Sequence, residues 1–419
     1  MLILLRHARS FVLFVLIASR CCAAPVMQMH CIDVGQGASE LFEFPCGAIL
    51  IDTGAADQKH TDMLVDYLHE FFARRTDLND TLAEVIVTHP HKDHAWGLPK
   101  VAQNFKILNY VDDGEVSSSG RPYVQWIRDH AHSLSIPIRE IRDDEITALP
   151  NRKGLTDKHI DPLKCDDCDP KIVVLSGGLD ENPGWSETDF ENPNNHSVVV
   201  RIDFGKSSFL VTGDLQKPAI ETMVDYYRGT SMLDVDVYIC GHHGSVNATT
   251  QSLIDAMTPK MAVINVGQWN DGEDTPSNIF TTFAYGHPRK EVLDLLSDAI
   301  ADKRETPMHT KAGVHAREFV PYTVTKAVYA TGWDGNVVIQ ADLNGVYKVE
   351  MHRTRPVQPA PLIAHNEPMR SFSMPRRVPI DETPATVESK EEQPAEYRHV
   401  SRPCCETVYV YRWRHCRRR

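Results

Sequence analysis

The residues best suited to chemistry form a His-x-His-x-Asp-His motif, in which His89 and His91 are followed by Asp93 and His94. The motif comes directly after the apolar run 85–87, which is typical of a buried strand. Imidazole and carboxylate ligands together suit zinc, manganese or iron(II). Because His89 and His91 lie two residues apart, they can face one ion, while Asp93 and His94 can turn to a second. The spacing therefore predicts a centre for two metal ions and disfavours a merely solvated, histidine-rich loop.

Two further carboxylates follow apolar runs. A buried carboxylate needs a partner, which for Asp52 is either a metal-binding histidine or, equally well, the turn into Gly54. Asp214 can bind one cation with each oxygen, although on its own it would be an ordinary cap before Pro218. The histidine motif favours Asp214 as a metal ligand.

More histidines follow the next apolar run, where His242 and His243 precede Gly244 and Ser245. One of the pair can complete the second metal site. The other can face the substrate, as a hydrogen-bond donor or as the acid for a leaving group. Ser245 and the amide after Gly244 can meet an anionic oxygen. His287 either reaches the same site or caps a turn.

The elements that must position these residues alternate between strand and helix patterns. Alternation and apolar runs predict strands at residues 27–34, 41–44, 48–51, 84–88, 171–175, 197–204, 208–212, 235–239, 261–266, 325–329, 336–340 and 346–351. Helical spacing predicts helices at residues 61–74, from about 98, and at 123–134, 218–227, 249–256 and 289–299. The polar stretch 142–194 is predicted to be surface loop apart from its one strand. The pattern favours an α+β sandwich of sheets covered by helices, with the strand ends and their site residues gathered at one edge.

Composition limits the classes of partner. The chain has 419 residues, enough for a substantial core, and 44 basic against 57 acidic residues give a net charge of −13. An acidic body disfavours a long basic track for duplex nucleic acid.

The chain ends differ in composition from its centre. Residues 1–24 resemble a secretory signal, with a basic start, an apolar run over 11–18 and small residues at 23 and 24. We therefore expect a secreted or periplasmic protein, with an uncleaved anchor as the alternative. Residues 353–400 are rich in proline and predict a disordered linker. Residues 401–419 form a basic, aromatic tail, which either contacts an anionic surface or only solubilises the protein.

Eight cysteines follow the predicted signal, and an exported chain can oxidise them. The local pairs Cys31 with Cys46 and Cys165 with Cys168 are the predicted disulfides, although the second pair could instead begin a zinc site. Cys240, at the end of an apolar run, is predicted to be a buried thiol.

Four strings in this chain resemble the motifs of the metallo-β-lactamase superfamily. In chain order they are Asp-Thr-Gly, His-Pro-His-Lys-Asp-His, Gly-Asp and His-His-Gly-Ser. Four other strings narrow the resemblance to the hydrolase domain of DNA-uptake competence proteins of the ComEC/Rec2 type. They are Ile-Asp-Val-Gly-Gln-Gly from residue 32, Asn-Asn-His-Ser from 194, Tyr-Gly-His-Pro from 285 and Thr-Gly-Trp-Asp-Gly from 331. The resemblance implies an αβ/βα sandwich over residues 25–352, with two mixed sheets flanked by helices and metals at one edge.

The resemblance also implies a ligand set. That set comprises His89 and His91 for the first metal, Asp93 and His94 for the second, Asp214 as the bridge, and His242 or His243 to complete it. The family usually has a third-motif histidine before the strand that leads to Gly-Asp, and either His196 or a neighbouring asparagine holds that place here. Two features depart from the competence proteins: Ala38 follows Gly-Gln-Gly where they commonly have aspartate, and their membrane channel is missing. A free-standing exported domain is therefore expected.

The leading hypothesis is an exported hydrolase with two divalent ions, zinc in preference to manganese. A hydroxide bridging the metals would cleave phosphodiesters, either nucleic acid or small phosphodiesters. Asp93, Asp214 and His243 are the predicted catalytic residues, supported by Asp52, Ser245 and His287 around them or at the substrate. The alternatives are a lactonase or β-lactamase type of hydrolase and a non-catalytic surface-binding protein. No stable protein partner is expected.

Overall fold

The computed structural model of the protein describes residues 26–166, 168–274 and 280–352. The predicted signal, linker and tail lie outside these residues. The strands are β1 (Val26–Cys31), β2 (Glu40–Phe44), β3 (Gly47–Ile51), β4 (Thr81–Leu82), β5 (Glu84–Ile86), β6 (Lys106–Ile107), β7 (Tyr110–Asp112), β8 (Ile138–Glu140), β9 (Lys171–Ser176), β10 (Val199–Phe204), β11 (Ser207–Val211), β12 (Val237–Cys240), β13 (Met261–Ile264), β14 (Lys303–His315), β15 (Glu318–Lys326), β16 (Val328–Ala330), β17 (Asn336–Asp342) and β18 (Tyr347–His352).

The α-helices are α1 (Gln58–Arg74), α2 (Lys92–Ala95), α3 (Leu98–Asn104), α4 (Arg121–Leu134), α5 (Asp143–Thr147), α6 (Glu187–Phe190), α7 (Lys217–Tyr227), α8 (Gln251–Ala256), α9 (Thr282–Tyr285), α10 (Lys290–Ala299) and α11 (Thr331–Asp334). Short 3₁₀ turns cover Thr76–Leu78, Pro193–His196 and His242–Gly244.

Two mixed sheets form the frame. The first has eight strands in the order β18-β17-β1-β2-β3-β5-β7-β8, and the second has six in the order β16-β13-β12-β11-β10-β9. In the first sheet β3, β5, β7 and β8 are mutually parallel, and in the second β11, β12, β13 and β16 are. Parallel neighbours end at the same edge, so the loops that follow them meet there.

Alternation along the strands divides the apolar residues between two cores. Phe42 of β2 faces the second sheet, where its ring meets Phe209 of β11 edge to face at 5.8 Å between centroids. Its neighbour Leu41 points to the opposite face, into a cluster with Leu64 of α1 and Val101 of α3. Helices α7, α8 and α10 contribute buried residues to the core that includes the second sheet. The layers run helix, sheet, sheet, helix, which confirms the predicted α+β sandwich of two mixed sheets flanked by helices.

The structure differs from the predicted elements mainly at the periphery. β14 and most of β15 form a long hairpin that the sequence did not predict, because few of its residues are buried and it lacks an apolar alternation. The short strands β7 and β8 were also missed. The stretch 142–194, predicted as loop with one strand, also contains α5, α6 and a 3₁₀ turn.

Both predicted disulfides are wrong, because Cys46 is bonded to Cys165 with 5.3 Å between their Cα atoms. The stretch 142–194, here called the insertion, folds back over the β2–β3 turn. Leu163 packs so closely on Gly47 that a Cβ on Gly47 would collide with the leucine side chain. Cys46 and Cys165 are therefore neighbours despite a separation of 119 residues. Cys240 is a buried thiol, as predicted, with its Sγ 3.2 Å from Thr249 Oγ1.

No helix of the described part of the chain is long and apolar enough to cross a membrane.

Candidate metal centre

The loops after four strands bring the predicted ligands together. Asp52 follows β3 and His89 follows β5, both from the first sheet. Asp214 follows β11 and His242 follows β12, both from the second sheet. Because β3 and β5 are parallel, as are β11 and β12, each pair of loops leaves the same edge. The centre is thus assembled from the facing edges of two sheets.

The first cluster consists of His89, His91 and Asp214, whose ligand atoms all lie within 4.8 Å of one another. His89 Nε2 lies 3.0 Å from His91 Nδ1 and 3.8 Å from Asp214 Oδ2. This grouping brings together the pair that the sequence assigned to one ion.

The second cluster consists of Asp93, His94 and His243. His243 Nε2 lies 3.3 Å from Asp93 Oδ2, and His94 Nε2 lies 3.1 Å from Asp214 Oδ1. Asp214 Oδ1 thus faces His94, and its Oδ2 lies 3.8 Å from the Nε2 atoms of both His89 and His243. The carboxylate therefore lies between the two clusters, as a bridging ligand must.

The hydrogen bonding of the ligand atoms shows whether metal ions fit between them. His94 Nε2, Asp214 Oδ1 and His243 Nε2 are buried and have no hydrogen-bond partner among the described residues. His94 Nε2 and Asp214 Oδ1 lie 3.1 Å apart and face a shared space. Leaving such groups unsatisfied is costly, and a cation coordinated between them would satisfy all three. An imidazole and carboxylate set of this kind fits two divalent ions.

Hydrogen bonds behind the ligands fix their orientation. His94 Nδ1 donates to Asp52 Oδ2 at 2.7 Å, and Asp52 also accepts from the amide and hydroxyl of Thr88 at 2.7 and 2.9 Å. His243 Nδ1 donates to the backbone oxygen of Asn265 at 2.8 Å. In both histidines Nε2 is left with its lone pair toward the clusters, as metal ligation requires. Asp52 is therefore bonded to His94, which is one of the two roles that the sequence left open for it.

Electrostatics divide the site into neutral and charged groups. Burial lowers the pKa of His89 well below its ordinary value, helped by the neighbouring His94 and His91. Burial opposes the charged form of His94, but Asp214 and Asp52 outweigh it and raise the pKa of that imidazole well above its ordinary value. Burial also opposes the charged form of Asp214, yet the surrounding histidines hold its pKa well below the usual range. Without metals, His94 therefore binds a proton where an ion would otherwise bind.

Close packing of loops fixes the position of Asp93. Its carbonyl oxygen accepts a hydrogen bond from the amide of Ala38 at 2.9 Å. A Cβ on Gly54 would collide with the same carbonyl group, and one on Gly37 would lie 3.0 Å from it. The Gly-Gln-Gly and Asp-Thr-Gly strings thus serve as surfaces on which the metal-binding loop rests, and they need glycine for that close approach.

The assignment of His196 as a metal ligand is wrong. Its Nε2 donates to the backbone oxygen of Phe190 at 2.6 Å, and its Nδ1 accepts from the amide of Leu179 at 3.1 Å. Both ring nitrogens are thus bonded to the backbone of the insertion, and His196 holds that loop instead of binding a metal.

The remaining predicted residues lie close to the clusters. The His287 ring is buried, lies 5.8 Å from that of His242 and 6.5 Å from that of His243, and leaves Nδ1 without a hydrogen-bond partner in the described part of the chain. It reaches the site, which decides between the two roles left open for it. The amide of Ser245 donates to the His242 carbonyl oxygen at 2.9 Å. That amide is committed to the turn, so its predicted role in meeting an anionic oxygen is wrong.

Sequence reasoning missed three supporting residues. Thr88 and Asn265 hold Asp52 and His243 respectively, and the buried Glu40 accepts a hydrogen bond from the Asn265 amide. A glutamate within the buried strand β2 was a usable signal, since buried carboxylates need partners. Thr88 directly precedes the motif, whereas nothing in the type or spacing of Asn265 marked it.

The family model of the metallo-beta-lactamase superfamily matches residues 32–267, more than half of the chain. The chain belongs to this superfamily. It is 25% identical to ComE operon protein 3 of Bacillus subtilis (strain 168) over 286 residues, which cover 66% of this chain and 31% of that protein. It is 24% identical to Recombination protein 2 of Haemophilus influenzae over 246 residues, covering 59% and 25%. The chain therefore spans a third or less of the length of these curated relatives.

Among solved structures, CmlA, a diiron beta-hydroxylase from Streptomyces venezuelae, is similar at 16% identity with a TM-score of 0.39, covering 72% of this chain and 54% of that one. The resemblance to competence proteins of the ComEC/Rec2 type is confirmed by the curated relatives, which include Competence protein ComA of Neisseria gonorrhoeae. The chain is a member of the metallo-beta-lactamase superfamily whose His and Asp clusters fit two metal ions.

Proposed function

We propose that this chain is an exported phosphodiesterase that works with two divalent metal ions, zinc in preference to manganese. The observation that carries the proposal is the position of Asp214 between two separate clusters, within 4 Å of histidines from each. Two ions held this close can clamp both the attacking and the leaving oxygen of a displacement at phosphorus.

When bound, the two metals supply positive charge and a nucleophilic hydroxide at neutral pH. The protein residues orient the metal ligands and contact the substrate. Asp52 and Asn265 fix the tautomers of His94 and His243. His287 stays neutral, because burial and the adjacent His242 and His243 lower its pKa well below the ordinary value. It is therefore suited to donate a hydrogen bond to a substrate oxygen without adding charge.

The relatives support the choice of phosphodiester over other esters. Their names refer to competence and recombination, and recombination acts on nucleic acid, whose backbone is a phosphodiester. The acidic body, with a net charge of −13, favours a small or single-stranded ester over long duplex DNA.

Export is supported by the disulfide between Cys46 and Cys165, since disulfides persist mainly in oxidising compartments. The N-terminal signal that would direct export is inferred from sequence alone. We further propose that the basic, aromatic tail at 401–419 contacts an anionic surface. Retention of the full chain on an anionic polymer, compared with a chain ending at residue 352, tests this partner.

A substrate panel tests the activity. Purified protein loaded with zinc or manganese is assayed against a nitrophenyl phosphodiester, a phosphomonoester, single-stranded DNA, duplex DNA and nitrocefin. We expect the phosphodiester and single-stranded DNA to be cleaved, duplex DNA more slowly, and nitrocefin negligibly. Asp214→Asn, prepared in parallel, reveals any contaminating activity. Efficient turnover of nitrocefin or a homoserine lactone with every phosphodiester inert would support the lactonase or β-lactamase alternative instead.

A further inference from the structure

The first cluster has one unshared ligand fewer than the second. It contains His89, His91 and Asp214, whereas the histidine expected from the third motif, His196, is bonded to backbone elsewhere. A catalytic zinc site usually takes three side-chain ligands and keeps one position for water or substrate. Asp214 is shared between the clusters, so the first ion has two side chains of its own, whereas the second has Asp93, His94 and His243. A third unshared side chain would give the two ions equal sets.

His242 lies where that ligand belongs. Its Nε2 is 3.6 Å from Asp214 Oδ2, the same oxygen that lies 3.8 Å from His89 Nε2. The other Asp214 oxygen faces His94 in the second cluster. His243 Nε2 is also 3.8 Å from Oδ2, but it is nearer to Asp93 Oδ2, at 3.3 Å, which commits it to the second cluster and leaves His242 for the first.

The His242 ring is also held in the tautomer a ligand needs. Its Nδ1 lies 3.1 Å from Asn247 Oδ1, so Nδ1 carries the proton and donates, and Nε2 has a free lone pair. The side chain is 21% exposed, more open than its neighbour His243 at 2%. That exposure suits a metal site that keeps an open position for substrate.

The backbone explains how adjacent histidines reach different clusters. His242 and His243 have φ angles of 47° and 53°, in the left-handed region that residues with a Cβ rarely adopt. Their rings diverge as a result, with centroids 6.2 Å apart and planes inclined at 68°. His243 meets Asp93 in the second cluster, while His242 meets the first. Two consecutive strained residues are rare and concentrate at functional sites.

We propose that His242 is a ligand of the first metal, completing the set of His89, His91 and Asp214 in place of the third-motif histidine. His242 and His243 then each serve one ion, and neither is left to act as the acid for a leaving group. The proposal rests on the two-metal centre of the proposed function, but it makes no assumption about the substrate.

Metal titration of His242→Ala tests the assignment. Zinc binding to metal-free protein is measured in competition with a chromophoric chelator. We expect one ion to bind as in the unchanged protein and the affinity for the other to fall at least about 10–100-fold, since even the loss of a ligand's outer partner costs that much. His196→Ala is the matched control, with both affinities expected to stay. Unchanged zinc binding by His242→Ala, or loss of an ion only in His196→Ala, would overturn the proposal.

A direct measurement avoids dependence on folding of the variants. The unchanged protein is labelled with nitrogen-15 in histidine, loaded with the NMR-active cadmium isotope, and examined for cadmium–nitrogen coupling. Five coupled imidazoles are expected, from His89, His91, His94, His242 and His243. Four coupled imidazoles, with Nε2 of His242 uncoupled, would overturn the proposal. Inactivity toward every phosphodiester with five coupled imidazoles would refute the proposed function and leave the ligand assignment standing.

Discussion

Asp52→Asn is predicted to disable the second metal site while leaving the fold intact. Asp52 is 1% exposed and accepts three hydrogen bonds, from His94 Nδ1 and from the amide and hydroxyl of Thr88. An asparagine of the same shape keeps one acceptor oxygen and turns an NH₂ group toward the other donors. To avoid a clash of donors, His94 must move its proton from Nδ1 to Nε2. That proton then occupies the atom that a metal needs.

The size of the effect follows from the bond that is lost. A hydrogen bond to a charged group contributes about 1.5–3 kcal/mol. Loss of such an outer partner usually lowers metal affinity by about 10–100-fold, which corresponds to roughly 1.4–2.8 kcal/mol. The two estimates agree, so the second ion is expected to bind about 10–100-fold more weakly while the first cluster, which Asp52 does not contact, retains its affinity.

Zinc titration against a competing chelator, with elemental analysis of the isolated protein, measures the effect on each ion. Asp113→Asn is a matched control, because Asp113 is also 1% exposed, follows β7 of the same sheet and accepts from the Glu115 amide. Thermal unfolding of both metal-free variants checks the fold. Two ions bound by Asp52→Asn with unchanged affinity would show that Asp52 does not set the His94 tautomer.

Three other predictions follow from the same geometry. Asp214→Asn is expected to abolish turnover while the chain still folds, because its strand is buried regardless; near-normal rates would contradict its bridging position. Gly54→Ala is expected to displace Asp93 and cost one metal in elemental analysis; two ions in Gly54→Ala would refute the packing argument. Gly229→Ala should keep both ions, because its Cβ would meet open space and the strain at its φ of 79° stays local to that turn. In metal-free protein the raised pKa of His94 gives stability that is complete below its ordinary pKa of about 6.5 and lost as pH rises through the folded value. Denaturant midpoints should therefore fall with rising pH while zinc affinity increases, and a flat profile for both would contradict that shift.

Much of the centre was predictable because metal chemistry restricts residue types more than it restricts folds. His89, His91, Asp93 and His94 occupy a short loop, and a loop that closes on an ion leaves few arrangements for them. Asp214 was predictable for a different reason, since an acidic residue at the end of a buried strand needs a partner. Both signals are local in sequence, and both are found in the clusters.

The predictions that were wrong concern contacts between segments that are distant in the sequence. His196 lies next to β10, but its ring turns toward Leu179 and Phe190 of an insertion whose path no periodicity describes. Cys46 pairs across the same insertion with Cys165. The hairpin of β14 and β15 buries few of its residues, so it lacks the apolar alternation from which strands are predicted.

Each cluster draws ligands from both sheets, and this explains why the centre is so dependent on loop packing. His89 and His91 come from the first sheet and meet Asp214 from the second; Asp93 and His94 come from the first sheet and meet His243 from the second. The positions of the two ligand groups are thus set by how the sheets pack, through contacts such as Phe42 on Phe209. Local contacts then set the position of each ligand. These are the glycines packed on Asp93, the Asp52 carboxylate bonded to His94, and the left-handed backbone of His242 and His243. A core of apolar side chains determines that a metal centre forms at this edge, and a small number of polar and glycine residues determine its geometry.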